Sequence, residues 1–299
     1  MRKLSANSKG VIYGFASYIF WGFLPFYWKL LSNVSSVHIL SARIIFSFLL
    51  LAPMLLAQKN IRWLLCFKNK KILLKIVILA ILITANWGVY IWAVNKGHII
   101  EASLGYFINP IISIVLGLIF LREKMKAAQW AAFGFAAVGV ALFTVFSGKL
   151  PLISLFLATS FAFYGLIKKK LRLSALESLS AETLVALPIA VCLIFIPQRG
   201  TEYLFTFPAY TYILLILCGA ATAFPLFLFA KSAKILPLSK LGFIQFISPL
   251  MQFLFAIFIF KENFLPQNLI AILFIWFGAL LYSASYINYK KKKALEPAY

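Results

Sequence analysis

Apolar stretches of about 20 residues follow one another along nearly the whole chain. This is the length that an α-helix needs to cross the hydrocarbon core of a bilayer. The runs are continuous, whereas membrane strands alternate apolar and polar residues, so helices are favoured. The sequence predicts an all-α integral membrane protein with ten transmembrane helices, at residues 10–31, 36–57, 73–94, 99–121, 127–146, 150–167, 178–196, 209–230, 238–260 and 267–288.

The composition leaves little chain outside the membrane. Hydrophobic residues make up 63% of the chain, charged residues 12%, and the mean hydropathy is +0.96. Ten helices use about 200 of the 299 residues, so the connections are too short for a soluble catalytic domain. The sequence has no HExxH, Walker-type or intramembrane Ser–His motif, and its cysteines are scattered. We therefore expect no enzyme activity, no metal site and no cofactor.

Positive charge is distributed unevenly between the two sides of the predicted membrane. The net charge is +22, and of the 29 Lys and Arg residues, 23 fall on one side and four on the other. Because cytoplasmic connections are enriched in Lys and Arg, both termini are predicted to lie in the cytoplasm. The basic runs at 168–170 and 290–293 are expected to meet anionic lipid headgroups. Nucleic acid is not an expected partner.

A short motif of the fourth predicted helix recurs in the ninth. FINP at Phe107–Pro110 aligns with FISP at Phe246–Pro249 when the chain is shifted by 139 residues. Each proline precedes a glutamate by 13 residues, and these glutamates are Glu123 and Glu262. A second pair, SYIFWG in the first helix and SFAFYG in the sixth, aligns at a shift of 143.

These two pairs predict a repeat of five helices. The N-terminal repeat occupies residues 1–148 and the C-terminal repeat residues 149–299. Because five is an odd number, the second copy enters the membrane from the opposite side, which makes the repeats inverted in topology. Secondary transporters use this arrangement to alternate access to a site near the middle of the bilayer.

The repeated helices carry matched polar residues at helical spacing. Polar side chains in hydrocarbon are costly and face protein or a water-filled cavity. The sequence therefore predicts a substrate cavity, although interhelical hydrogen bonding is the alternative. The two prolines are predicted to bend their helices, since each removes a backbone hydrogen bond. The polar residues are Tyr106, Asn109 and Ser113 in one copy and Gln245, Ser248 and Gln252 in the other, and the prolines are Pro110 and Pro249.

Further candidates for the cavity are aromatic and amide side chains at mid-membrane positions. Aromatic rings offer flat faces on which a flat substrate stacks. Tryptophans near helix ends, such as Trp28 and Trp92, are instead expected at the membrane interface. The mid-membrane candidates are Trp21, Asn86, Trp87, Tyr90 and Tyr164.

Charged residues within the predicted helices call for partners. Arg43 and Glu101 both lie toward the external side, which predicts a structural or gating ion pair between them. Lys29 lies near the same side and is expected to extend toward water. Glu182 lies near the cytoplasmic side, too far from Arg43 along the membrane normal to pair with it.

Several of these segments together resemble the RarD-like permeases of the EamA family, within the drug/metabolite transporter superfamily. They are WGFLPFYWK (21–29), Arg43, NWGVYIWAVN (86–95), EASLGYFINP (101–110), SFAFYGLIKKK (160–170) and LGFIQFISP (241–249). The resemblance implies two inverted five-helix repeats, an inner-membrane location and export of small molecules. It also implies an association with chloramphenicol sensitivity. The small multidrug members of the superfamily carry a coupling Glu in their first helix, and this chain has none there.

Residues and resemblance together predict a secondary transporter that exports small organic metabolites or drugs, with chloramphenicol-type compounds among the candidates. An organic-anion or sugar-phosphate exchanger is the alternative that Arg43 and Lys29 suggest. A non-transporting membrane scaffold is the alternative of another class. The expected partners are the lipid bilayer and a small-molecule substrate, and the expected assembly is a monomer or homodimer.

Overall fold

In the computed structural model, the described residues, 5–57, 62–95, 99–146, 152–196, 207–259, 261 and 266–295, form helices and no strand. Nine helical segments within these ranges are long and apolar enough to cross a membrane, and a shorter apolar stretch at Leu269–Tyr282 follows them. The chain is therefore an all-α, multi-pass membrane protein, as predicted. The helices are α1 (Ala6–Leu30), α2 (Ser36–Ala57), a 3₁₀ helix (Arg62–Lys68), α3 (Lys70–Asn95), α4 (Ile99–Leu121), α5 (Ala127–Phe146), α6 (Leu152–Lys170), α7 (Ala175–Ile194), α8 (Ala209–Ile235), α9 (Leu238–Gln245), α10 (Ile247–Phe258) and α11 (Pro266–Leu295).

The ninth predicted span is interrupted at one residue, Phe246, between α9 and α10, where the sequence predicted a single bent helix. The break follows Gln245, four residues before Pro249. Proline lacks an N–H, so the carbonyl four residues earlier loses its helical partner, and the helix ends where that bond would have formed. Pro110, the matched proline, lies inside α4, which continues through it.

Helix packing follows the predicted inverted repeat. In the two repeats, α1 corresponds to α6, and α4 corresponds to α9–α10. As this correspondence requires, α4 packs on α6 and α9–α10 packs on α1. The helices α2 and α7 pack on each other, as do α5 and α11. Local geometry repeats at the same shift of 139 residues. Arg122 and Lys261 both have a left-handed backbone, with φ of 52° and 54°.

The crossing of α5 and α11 is close because glycines line it on both helices. A Cβ added to Gly139 would lie 2.5 Å from the Ala271 carbonyl oxygen, and one added to Gly278 would lie 2.6 Å from that of Ala132. These two glycines are again 139 residues apart. Small residues let membrane helices approach and pack through dispersion contacts.

One end of the bundle is held together by polar contacts between segments predicted to be cytoplasmic. The Glu123 carboxylate, just after α4, accepts hydrogen bonds from the N–H groups of Leu238 and Ser239 at 2.6 and 2.8 Å, which caps α9 in the other repeat. Lys240 donates to the Asn7 side chain at 3.1 Å, and Lys169 donates to the Leu236 carbonyl. The N-terminus and the connections α4–α5, α6–α7 and α8–α9 therefore share one side, as the predicted topology requires. Glu262, which repeats Glu123, lies outside the described residues.

Candidate substrate-binding site

A cavity lies between the two repeats, where α4 meets the break between α9 and α10. Its walls come from α1, α2, α3 and α4 of the first repeat and α6, α9 and α10 of the second. Its volume of about 90 Å³ is below the roughly 300–1,000 Å³ of sites that hold drug-sized ligands. A ligand of that size therefore requires the surrounding side chains or helices to rearrange. The predicted residues that line the cavity are Trp21, Asn86, Trp87, Tyr90, Tyr106, Asn109, Gln245, Ser248 and Gln252, with Arg43 and Pro249.

The matched polar residues also hold the repeats together. Asn109 Nδ2 donates to the Ala158 carbonyl of α6 at 3.1 Å. The Ser113 hydroxyl lies 3.2 Å from both Asn109 Oδ1 and Gln245 Oε1, which it links across the repeat boundary. Ser113 is buried but is not among the cavity-lining residues. Asn109 and Gln245 therefore line the cavity and also bond between helices, so both alternatives considered for this polar face apply to them.

The other amides of the cavity are likewise anchored through their donor groups. Asn86 Nδ2 donates to the Leu157 carbonyl at 2.8 Å and to the Ser160 hydroxyl at 2.9 Å. Gln252 Nε2 donates to the Trp21 carbonyl at 3.1 Å and to the Ser248 hydroxyl at 3.2 Å. The carbonyl oxygens of Asn86 and Gln252 accept no hydrogen bond from a described residue. They are therefore acceptors that a ligand could use.

Aromatic rings form much of the remaining wall. Trp21 packs against Tyr18 at 5.1 Å between ring centroids and against Phe161 at 5.5 Å. Tyr90 and Tyr106 contact each other edge to face at 5.4 Å. Tyr18 and Phe161 were not predicted as lining residues, although each lies three residues before a predicted one, Trp21 or Tyr164, in the SYIFWG and SFAFYG motifs. Residues three apart lie on the same face of a helix, so this spacing was the signal that could have found Tyr18.

Arg43 is the one charged residue among the described cavity-lining residues, and tryptophan rings surround it. Its guanidinium carbon lies 4.1 Å from the ring centroid of Trp87 and 4.8 Å from that of Trp28. Its Nε donates to the Thr222 hydroxyl of α8 at 3.0 Å. Trp28, which was expected at the membrane interface, also lines the cavity. Such cation–π contacts stabilise a desolvated cation.

The predicted partner of Arg43 and two other predicted site residues lie elsewhere. The Glu101 side chain is outside the described part of the chain, so the Arg43–Glu101 pair stays a prediction. Lys29 is exposed at the end of α1 and does not line the cavity. Tyr164 is fully buried beside the cavity wall rather than in it, and its hydroxyl donates to Glu182 at 3.0 Å.

Glu182 pairs with Lys168, a residue that was expected to contact lipid headgroups. Lys168 Nζ lies 2.6 Å from a Glu182 carboxylate oxygen and 2.7 Å from the Ser178 hydroxyl. Lys168 is fully buried, so its expected contact with lipid headgroups is wrong, whereas Lys170 in the same run is exposed. The buried ammonium and the buried carboxylate compensate each other's charge, and the Tyr164 hydroxyl donates to the same carboxylate.

The fold and the cavity define a class of protein: a multi-pass membrane protein of two inverted repeats that enclose a polar and aromatic cavity between them. The sequence model of the EamA-like transporter family matches residues 8–145 and again residues 150–284. The chain therefore belongs to the EamA-like transporter family. The predicted boundary between residues 148 and 149 stays a prediction.

Proteins that this chain resembles over nearly their full length carry transporter or RarD names. The uncharacterized transporter YojE of Bacillus subtilis is 41% identical, over 95% of this chain and 97% of that protein. Protein RarD of Escherichia coli K12 is 38% identical, over 92% and 93%. The chloramphenicol-sensitive protein RarD of Pseudomonas aeruginosa is 25% identical, over 92% and 93%. These matches confirm the predicted resemblance to RarD-like permeases.

A solved crystal structure provides a comparison of fold. It superposes on this chain with a TM-score of 0.71, over 91% of this chain and 96% of the other, at 14% sequence identity. At that identity the likeness shows a common fold alone.

Proposed function

We propose that this protein is a secondary transporter that exports small organic metabolites or drugs by alternating access around the central cavity. The observation that carries the proposal is the position of the cavity. It lies between the inverted repeats, at the break between α9 and α10, where matched polar residues of both halves meet. Broken helices at a repeat interface are where secondary transporters hold their substrates.

The volume and the contacts of the cavity agree with this proposal. The cavity is smaller than a drug-sized ligand needs, so the side chains or helices that line it would have to rearrange on binding. Acceptor oxygens and aromatic rings in its wall suit a flat molecule that carries hydrogen-bond donors. Chloramphenicol-type compounds fit this description, and one relative is named for chloramphenicol sensitivity. Family membership supports transport as the general activity.

Counterflow in reconstituted vesicles tests the proposal. Purified protein is placed in liposomes loaded with a compound from a metabolite and drug library that includes chloramphenicol, and uptake of the same radiolabelled compound is followed. We expect saturable uptake of at least one compound. Trp87→Ala should reduce that uptake, because the ring forms part of the cavity wall.

Trp130→Ala is the matched control. Trp130 lies on α5, is 50% exposed and does not line the cavity, so its replacement should leave uptake unchanged. A non-transporting scaffold predicts no uptake above that of empty liposomes for any compound. That result, with protein shown to be folded and inserted, would refute transport.

A further inference from the structure

Arg43 is a buried cation whose terminal nitrogens have no hydrogen-bond partner within the part of the chain that the structure describes. Its side chain is only 5% exposed. Nε donates to Thr222, but the two terminal nitrogens make no hydrogen bond to any residue in the described ranges. Arg43 also forms no ion pair with a described carboxylate. Arg43 is also one of the residues that line the cavity.

Among the described residues Arg43 has no anionic partner, and a buried cation in that arrangement is one that an anionic ligand can complete. Removing a guanidinium from water is costly, and the Trp28 and Trp87 rings offset only part of that cost. An anionic ligand group would supply the missing counter-charge. The guanidinium donors form a planar fork that matches a carboxylate with two parallel hydrogen bonds. Thr222 fixes one side of this fork, which leaves the terminal nitrogens for the ligand.

The rest of the cavity limits the ligand class further. No Lys or second Arg is present among the described lining residues. A single cation suits a monoanion, whereas a phosphate dianion calls for more positive charge. The rings of Trp21, Trp87 and Tyr90 offer apolar faces to the remainder of the ligand.

We propose that the cavity selects small aromatic carboxylates, whose carboxylate group binds the terminal nitrogens of Arg43. This inference rests on the proposed transport function and names the substrate class of the same cavity. Arg43 is then the residue that determines specificity for an anion over its neutral counterpart.

Acid and amide pairs test the inference by direct binding. Isothermal titration calorimetry on the purified protein compares phenylacetate, 4-hydroxyphenylacetate and benzoate, each beside its own amide. The members of a pair have nearly the same shape and differ in charge. We expect at least one acid to bind about 10- to 100-fold more tightly than its amide, the effect of one charge-assisted hydrogen-bonded contact.

Three variants assign that preference to a residue. Arg43→Gln should weaken acid binding to the level of the amide and leave amide binding unchanged. Arg43→Lys keeps the charge but not the planar fork of donors, so it should retain part of the preference for the acid. This variant replaces Arg43→Gln in the test if Arg43→Gln does not fold. Lys29→Gln removes an exposed cation outside the cavity and should retain all of it.

Four results would overturn the inference. They are equal binding of acids and amides, a preference that survives Arg43→Gln, no binding of any acid by the folded protein, and a preference that appears only in Glu101→Gln. The last would assign Arg43 to the predicted pair with Glu101.

Vesicle counterflow separates this inference from the proposed function. Uptake of neutral compounds without an acid preference refutes anion selection alone, and absence of all uptake refutes transport even if an acid binds.

Discussion

At the scale of single residues, Asn109 shows how one polar side chain serves both a cavity and the packing around it. Its amide bonds to the Ala158 carbonyl, and its oxygen accepts from Ser113. Both ends of the side chain are thus used within the protein. The matched residue of the other repeat, Ser248, bonds to Gln252 in the same way within its own helix.

Replacing Asn109 by Leu is therefore expected to lower stability. The change leaves the buried Ala158 carbonyl and Ser113 hydroxyl each without one partner, at a cost of about 1–3 kcal/mol. Thermal unfolding of the purified variant measures the loss. Ile108→Leu, an apolar exchange of equal size at the adjacent position, is the control. An unchanged melting temperature for Asn109→Leu would show that these bonds contribute nothing to stability.

The buried pair of Lys168 and Glu182 leads to a second prediction at this scale. Glu182→Leu alone leaves a fully buried ammonium without its anion and should cost about 3–5 kcal/mol. The double variant Lys168→Met/Glu182→Leu should cost less than the single one, since no lone charge remains. Melting temperatures of both singles and the double complete the cycle. Simple addition of the two single losses would rule out coupling between these residues.

Lys170→Met is the control for the lysine change. Lys170 belongs to the same basic run but is exposed. Its replacement should therefore leave the melting temperature nearly unchanged, whereas Lys168→Met should lower it.

At the scale of helices, the α5–α11 crossing depends on the absence of a side chain at Gly139. A Cβ there would lie 2.5 Å from a backbone oxygen, which no change of side-chain rotamer can relieve. Gly139→Ala should therefore separate the helices and cost about 1–3 kcal/mol. Gly134→Ala, on the same helix, is the matched control, because a Cβ there has no neighbour within 4 Å. Equal melting temperatures for the two variants would refute close packing at this crossing.

At the scale of the whole molecule, the connections within the described ranges lie on two sides, and the charge distribution predicts which side is cytoplasmic. Arg172 follows α6, and Lys261 follows α10 on the opposite side; both are exposed. In a variant without native cysteines, Lys261→Cys should react with an impermeant maleimide added to intact cells. Arg172→Cys should react only after the membrane is opened. The reverse pattern would place the termini outside.

The helical membrane class and the inverted repeat could be predicted from the sequence, and nine of the ten predicted spans correspond to membrane-length apolar helices in the described ranges, with a shorter apolar stretch at Leu269–Tyr282 for the tenth. Each of these follows from a local property, such as the length of an apolar run or the recurrence of FINP as FISP. Family membership could also be predicted, since the motifs that carry the resemblance are continuous segments. Even the break near Pro249 follows from local chemistry, although the prediction was a bend and not two helices.

The surroundings of each polar or aromatic side chain, in contrast, depend on how the helices pack in three dimensions. Asn86 and Tyr164 were both predicted as mid-membrane candidates for the cavity. Asn86 lines the cavity, whereas Tyr164 donates a hydrogen bond to Glu182. Lys168 was assigned to lipid but is fully buried, and Trp28, assigned to the interface, also lines the cavity. The physical reason is that helix rotation and the identity of distant neighbours set these contacts. Thr222, which orients Arg43, lies 179 residues away along the chain, and no local pattern relates the two.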